Sequence, residues 1–252
     1  MALIALILLN PADGDAKKIK QTPKPQPVQT IVAANPLPEH KHTKDCDKTT
    51  AEPVQIICIL DRSGSMSSVA SDTIGGYNTF LTKQKEEPGK AQVTTVLFDN
   101  EYELINDAAD LKTVPELTSK QYYARGTTAL LDAVGRTLAE TAGKMEKENI
   151  CPAKRRVLVL IMTDGLENAS REYTKAAVKA MIDKATADYK WNFIFMGANI
   201  DSVGEAAAIG ISADHAADFE QNSDGMQKSF ARMNAAASAV RESGNVGDSW
   251  KK

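Results

Sequence analysis

VQIICILDRSGSMS, residues 54–67, opens with seven apolar or β-branched positions broken only by Gln55, then turns abruptly polar at Asp61. A continuous apolar run of this length, too short for a helix, reads as a strand buried on both faces. The pattern recurs as AQVTTVLF at 91–98, RRVLVLIM at 155–162 and WNFIFMGA at 191–198. Helix-period segments lie between these runs, at 73–87, 128–149 and 172–189. Alternation of buried strands with helices predicts a three-layer α/β fold. Its central sheet is mostly parallel, with right-handed crossovers and helices on both faces. One connection departs from the rule. After 91–98 comes Asp99-Asn100 and then EYELIN, too short for a crossover, so a hairpin with one antiparallel edge strand is expected there. Toward the end the sequence predicts a short helix at 201–210, a weak strand near 214–219 and an Ala-rich helix over 226–241.

Outward from this core the chain divides into an apolar N-terminal segment plus a Pro-rich linker at 1–53, the α/β domain at 54–243 and a tail at 244–252. The apolar run at 2–9 is far shorter than the ~20 residues of a membrane span, and no Lys or Arg precedes it. No transmembrane span is therefore expected. A cytoplasmic location is the default expectation, with an N-terminal signal or tether as the alternative. From 11 to 53 seven prolines, at 11, 23, 25, 27, 36, 38 and 53, leave no helical or strand period, which predicts a flexible linker. His40, His42 and Cys46 within it are a weak zinc candidate that lacks a fourth ligand. With 30 basic against 33 acidic side chains and a net charge of -3, the chain has no bulk electrostatic attraction for nucleic acid. Three cysteines without a C-x-x-C pair exclude a disulfide framework and a four-cysteine metal site. Cys58, inside the first strand, reads as an inert core thiol.

Chemistry gathers where the first strand ends. Asp61, Ser63 and Ser65 alternate in D-x-S-x-S, and in an extended loop alternate residues project to one side. Ligands of open α/β sheets lie beyond the carboxyl ends of the strands, where strand order reverses. Two further segments add to it: Arg125-Gly126-Thr127-Thr128 opens a long helix, and 155–162 runs into Thr163-Asp164-Gly165. On these residues the chain resembles the von Willebrand factor A domain family, with its Rossmann-like fold, over about 54–243. The family's metal-ion-dependent adhesion site is written as D-x-S-x-S, a threonine, and an aspartate in a T-D-G turn. Here the matching positions are Asp61, Ser63, Ser65, Thr128 and Asp164. GTTALLDA and TDGLENAS look like the single-domain bacterial and phage members. The resemblance implies a metal-dependent protein-binding module without catalysis, in which a partner's Asp or Glu completes the coordination sphere.

The residue types point the same way. Carboxylate and hydroxyl oxygens without His or Cys suit a hard cation, with Mg²⁺ the first choice and Mn²⁺ or Ca²⁺ as alternatives. Two carboxylates barely balance a dication, so an open position would attract a protein partner offering a carboxylate. Arg125, Tyr122 and Tyr123 are the expected recognition rim, since Arg and Tyr favour interfaces. Glu167 and Asn168 are expected to support the site or to cap the following helix. The competing function is a Mg²⁺-dependent phosphoryl-transfer enzyme using Asp61 as acceptor. Against it, Ser63 stands where a second carboxylate would serve. A structural alternative has Asp61 and Ser63 capping the next helix while Asp164 shapes a turn.

Overall fold

The structure, a computed structural model, describes residues 37–39 and 53–251. The N-terminal apolar run and the His40, His42 and Cys46 candidate lie outside the described residues. Six strands form one sheet: β1 (Val54–Asp61), β2 (Ala91–Phe98), β3 (Tyr102–Asp110), β4 (Val157–Thr163), β5 (Asn192–Gly197) and β6 (Ala216–Asp218). Their order is β3-β2-β1-β4-β5-β6, parallel throughout except for the β2–β3 hairpin. Five helices join them: α1 (Ala70–Glu86), α2 (Leu130–Lys147), α3 (Lys175–Ala187), α4 (Ser202–Ala208) and α5 (Ser223–Ser243).

Period-two alternation sorts each central strand between two cores. Ile56, Cys58 and Leu60 of β1 join Leu158 and Leu160 of β4 under α1 and α5, whereas Ile57 and Ile59 join Val159 and Ile161 under α2 and α3. Helix α1 buries Thr73, Tyr77, Phe80, Leu81 and Gln84, an i, i+4, i+7, i+8 stripe that covers one face of the sheet. Burial pushes the Cys58 thiol up to about 12, so it is a core group and no nucleophile.

Three expectations change. A 3₁₀ turn over Gly64–Val69 replaces the extended loop after β1. The tail is part of the domain: Val246 and Trp250 are buried in the core beside α5, and the Trp250 indole Nε1 donates to the carbonyl of Asp214 at 3.1 Å. A lone Trp among Gly, Ser and Asp carries no period, which is why the sequence reads as a tail. Within the predicted linker, Leu37 is buried against the α2/α3 core and the Tyr189 hydroxyl donates to the Pro38 carbonyl, so 37–39 do bury a face.

Candidate metal centre

Strand order reverses between β1 and β4, because the chain leaves β1 toward β2 and later returns to β1's other side. Asp61 is the last residue of β1 and Asp164 the first beyond β4, so the fold itself brings two carboxylates to one crevice. Thr163, the last residue of β4, donates its hydroxyl to Asp61 Oδ2 at 2.6 Å. The backbone N–H of Ser63 donates to Asp61 Oδ1 at 2.6 Å, closing a side-chain turn that bends the chain out of the strand. Ser65 Oγ donates to Asp164 Oδ1 at 2.6 Å and lies 3.0 Å from Ser63 Oγ. Asp61, Ser63, Ser65 and Asp164 thus form one connected cluster. They meet through a side-chain turn and a 3₁₀ turn, and not through the alternation of an extended loop.

Thr128 comes from a different part of the chain. A Cβ placed on Gly165 would lie 3.6 Å from Thr128 Oγ1 and 3.8 Å from Ser65 Oγ, so both hydroxyls border the same glycine. Its loop is pinned from two sides. Gly126 accepts from the Gly64 N–H at 3.2 Å and has φ +68°, and a Cβ there would sit 2.0 Å from Asn100 Oδ1, so only glycine fits. On the other side the Thr128 N–H donates to Asn168 Oδ1 at 3.0 Å, the Leu131 N–H to Glu167 Oε2 at 2.9 Å and the Asp132 N–H to Ser170 Oγ at 3.0 Å. Glu167 and Ser170 therefore satisfy open N–H groups in the first turn of α2, the helix before them in the chain and not the one after, while Asn168 holds Thr128 just ahead of it.

The carboxylates are in an unusual electrical position. Burial pushes the Asp61 carboxyl up to about 6, with the charge of Asp164 adding to the rise, while hydrogen bonds from Thr163 and Ser63 oppose it. Burial also raises Asp164, against hydrogen bonds from Ser65 and Gln221. Among the described residues neither carboxylate has an ion pair. Two crowded acidic groups, three hydroxyls and no cationic side chain make an oxygen donor set that fits a hard divalent cation. The helix-capping alternative fails locally, because Ser63 makes no side-chain cap bond.

Beside this cluster lies one that the sequence did not reveal. Asp99, at the end of β2, is fully buried and accepts from Arg62 Nε at 3.1 Å and Arg125 Nε at 2.7 Å. Arg62 is also fully buried, with Nη1 2.6 Å from Glu103 and 3.1 Å from the Gln121 carbonyl. Arg62 reads in sequence as the spacer of D-x-S and Asp99 as a turn residue, so nothing in one dimension pairs them. The rim expectation divides accordingly. Tyr122 is 1% exposed and donates its hydroxyl to the Asp61 carbonyl at 2.5 Å, so it supports β1 from inside and is not a rim residue. Tyr123 is 46% exposed, and the Arg125 guanidinium lies 5.2 Å from its ring centroid. Leu166, 57% exposed and two residues past Asp164, is a surface residue that the sequence did not single out. Gln221, before α5, is another: its Nε2 donates to Asp164 Oδ2 at 2.5 Å and to the Ser65 carbonyl at 2.7 Å.

No helix among the described residues is long and apolar enough to cross a membrane. No family model and no curated protein matches the sequence. Solved structures do. The pilus adhesin SpaC from Lactobacillus rhamnosus GG, in an open conformation, aligns over 74% of this chain and 30% of its own at 14% identity, with a TM-score of 0.54. Proximal thread matrix protein 1 from the mussel byssus, with a zinc-occupied MIDAS motif, aligns over 74% of this chain and 48% of its own at 13% identity and a TM-score of 0.50. A von Willebrand factor type A structure from Catenulispora acidiphila aligns over 76% of this chain and 44% of its own at 16% identity and a TM-score of 0.49. The chain thus spans less than half the length of each. At identities this low the likeness is one of architecture alone: a Rossmann-like α/β fold around a mostly parallel six-stranded sheet with one antiparallel edge.

Proposed function

We propose that this chain is a von Willebrand factor A domain that binds a protein partner through a divalent cation, Mg²⁺ in the first instance, held by Asp61, Ser63, Ser65, Thr128 and Asp164. The observation that carries the reading is the meeting of Asp61 and Asp164, 103 positions apart, at the strand-order reversal without a cationic side chain between them. When bound, the cation supplies an electrophilic centre for a carboxylate of the partner. Asp61 and Asp164 provide the negative charge, and the three hydroxyls provide neutral oxygens that leave part of the cation's charge uncompensated. Tyr123, Arg125 and Leu166 supply the exposed surface around it. The zinc-occupied motif of the mussel protein is support by analogy of fold.

Phosphoryl transfer with Asp61 as acceptor fits less well. Ser63 stands where a second carboxylate would serve that chemistry, and its hydroxyl lies beside Ser65 Oγ at 3.0 Å in the cluster. Calorimetric titration with Mg²⁺ and Mn²⁺ tests the site: wild type should bind and Asp61→Ala should not. Capture of an acidic partner should disappear with EDTA and weaken in Thr128→Ala. A phosphatase assay that found Asp61-dependent turnover would reverse the assignment.

A further inference from the structure

We propose that Gln221 is a positioning residue of the cation site: its amide, oriented by Asn199, holds the Asp164 carboxylate against Ser65. The inference rests on the cation-site reading above. Gln221 follows β6 and precedes α5, far in sequence from every other member of the cluster. Its amide nitrogen bridges two segments, donating to Asp164 Oδ2 at 2.5 Å and to the Ser65 carbonyl at 2.7 Å. A primary amide has two N–H donors, and here each has its own acceptor. The amide oxygen accepts from Asn199 Nδ2 at 2.7 Å, which fixes which way round the group lies. Asn199 has φ +56°, a left-handed conformation that asparagine adopts more readily than most residues. The backbone next to Gln221 is anchored as well. Asn222 caps α5 by accepting from the Gly225 N–H at 2.8 Å, and Ser223 Oγ donates to Asp72 Oδ1 at 2.6 Å.

Neutrality is the point of the arrangement. Asp164 stands on a loop, and its remaining side-chain donor is Ser65 Oγ. A lysine or arginine at 221 would orient the carboxylate equally well, but it would cancel the charge that a cation needs. Glutamine orients without neutralising. Residues that orient a metal ligand in this way affect affinity by ~10–100-fold.

Titration with Mn²⁺, followed by loss of the free-ion EPR signal, separates the outcomes. Wild type should bind Mn²⁺, Gln221→Met, of similar length but without donors, should bind about tenfold or more weakly, and Gln221→Lys should not bind. Thermal melting without cation should match wild type in Gln221→Met, because the amide acts on the carboxylate and not on the core, whereas Gln221→Lys should melt at or above wild type because its charge compensates the carboxylates. Mn²⁺ binding as tight in Gln221→Met as in wild type overturns the proposal. If Gln221→Met melts well below wild type, Asn199→Gly decides instead, since glycine tolerates the backbone and releases the amide: weakened binding supports the proposal and unchanged binding overturns it. Failure of wild type itself to bind, or binding by Asp61→Ala equal to wild type, overturns the cation site and this inference with it.

Discussion

Two acidic stations lie side by side at the carboxyl edge of the sheet, and they are built on opposite electrical plans. Asp99, ending β2, is closed by two guanidinium groups, Arg62 from the turn after β1 and Arg125 from the loop before α2. Asp61 and Asp164, at the ends of β1 and β4, are surrounded by hydroxyls, an amide and backbone N–H groups, with no ion pair among the described residues. The first station has its charges paired, although Arg62 Nη2 is buried without a hydrogen-bond partner among the described residues, and it ties three segments into one platform. The second bears charge that its surroundings do not balance. A buried carboxylate is evidence of function only when its compensation is missing, and these neighbours supply both cases within one sheet edge.

The sharpest way to break the contrast is to remove Asp99. Asp99→Ala leaves the fully buried Arg62 guanidinium with only the half-exposed Glu103 as a charged partner, and stranding a buried charge in this way costs about 3–5 kcal/mol. Urea denaturation should show a loss of that size. A loss below about 1 kcal/mol would mean that Arg62 finds water or another partner, and the platform would lose its role.

Protonation separates the stations next. The Asp61 carboxyl releases its proton at about 6 in the folded, cation-free protein and near 4 in the unfolded chain. Between these values the folded state binds more protons than the unfolded one, so cation-free stability should fall as pH rises across that window. The fall is about 3 kcal/mol at most, and the cost is fully present above about pH 6. Saturating Mg²⁺ should raise the melting temperature more at about pH 7 than at about pH 5, because below about pH 6 the proton and the cation compete for one carboxylate. Equal shifts at both pH values would detach Asp61 from the cation.

How much of this was legible beforehand follows from physics. β1, β2, β4 and β5 were readable because strands buried on both faces need unbroken apolar runs, and the hairpin because Asp99-Asn100 leaves no room for a crossover. Asp61, Ser63, Ser65 and Asp164 were readable as candidates because they follow the ends of β1 and β4 in recognisable local wording, and Thr128 because its loop opens α2. The rest was hidden for specific reasons. Of the adjacent pair Tyr122 and Tyr123 one side chain points inward and the other out, and local sequence does not say which. The Arg62–Asp99 and Gln221–Asp164 contacts join residues 37 and 57 positions apart. Such pairings exist only once the strand order is set.

Charge removal at the second station should then have the opposite sign to that at the first. Asp61→Asn eliminates a buried charge at neutral pH but keeps the side chain's shape and an oxygen able to accept one of the two existing hydrogen bonds. Without cation at about pH 7 it should be as stable as wild type or more so, within about 1 kcal/mol, and most of the pH dependence should vanish. Cation-induced stabilisation should disappear completely. Melting curves with and without Mg²⁺ give both quantities, and a large cation-free loss would make Asp61 a structural residue like Asp99.

The smallest effect expected comes from Arg125, the more exposed of the two guanidinium groups on Asp99. Its Nη2 pairs with Glu101 at 2.8 Å on the surface, where such contacts contribute roughly 0.2–1 kcal/mol. Its Nε reaches the buried Asp99, yet Arg62 holds the same oxygen from the interior and stays behind when Arg125 is removed. Arg125→Ala should therefore cost about 1 kcal/mol or less, with that difference shrinking at high salt. Because Arg125 also sits over Tyr123 and its backbone N–H donates to the Arg62 carbonyl at 2.9 Å, the substitution alters the exposed surface while leaving the main-chain path to Thr128 in place. Mn²⁺ affinity should stay at the wild-type level while capture of an acidic partner weakens. Parallel loss of both would place Arg125 in the support of the cation site, and the division between a finished platform and an unfinished site would have to be redrawn through Asp99.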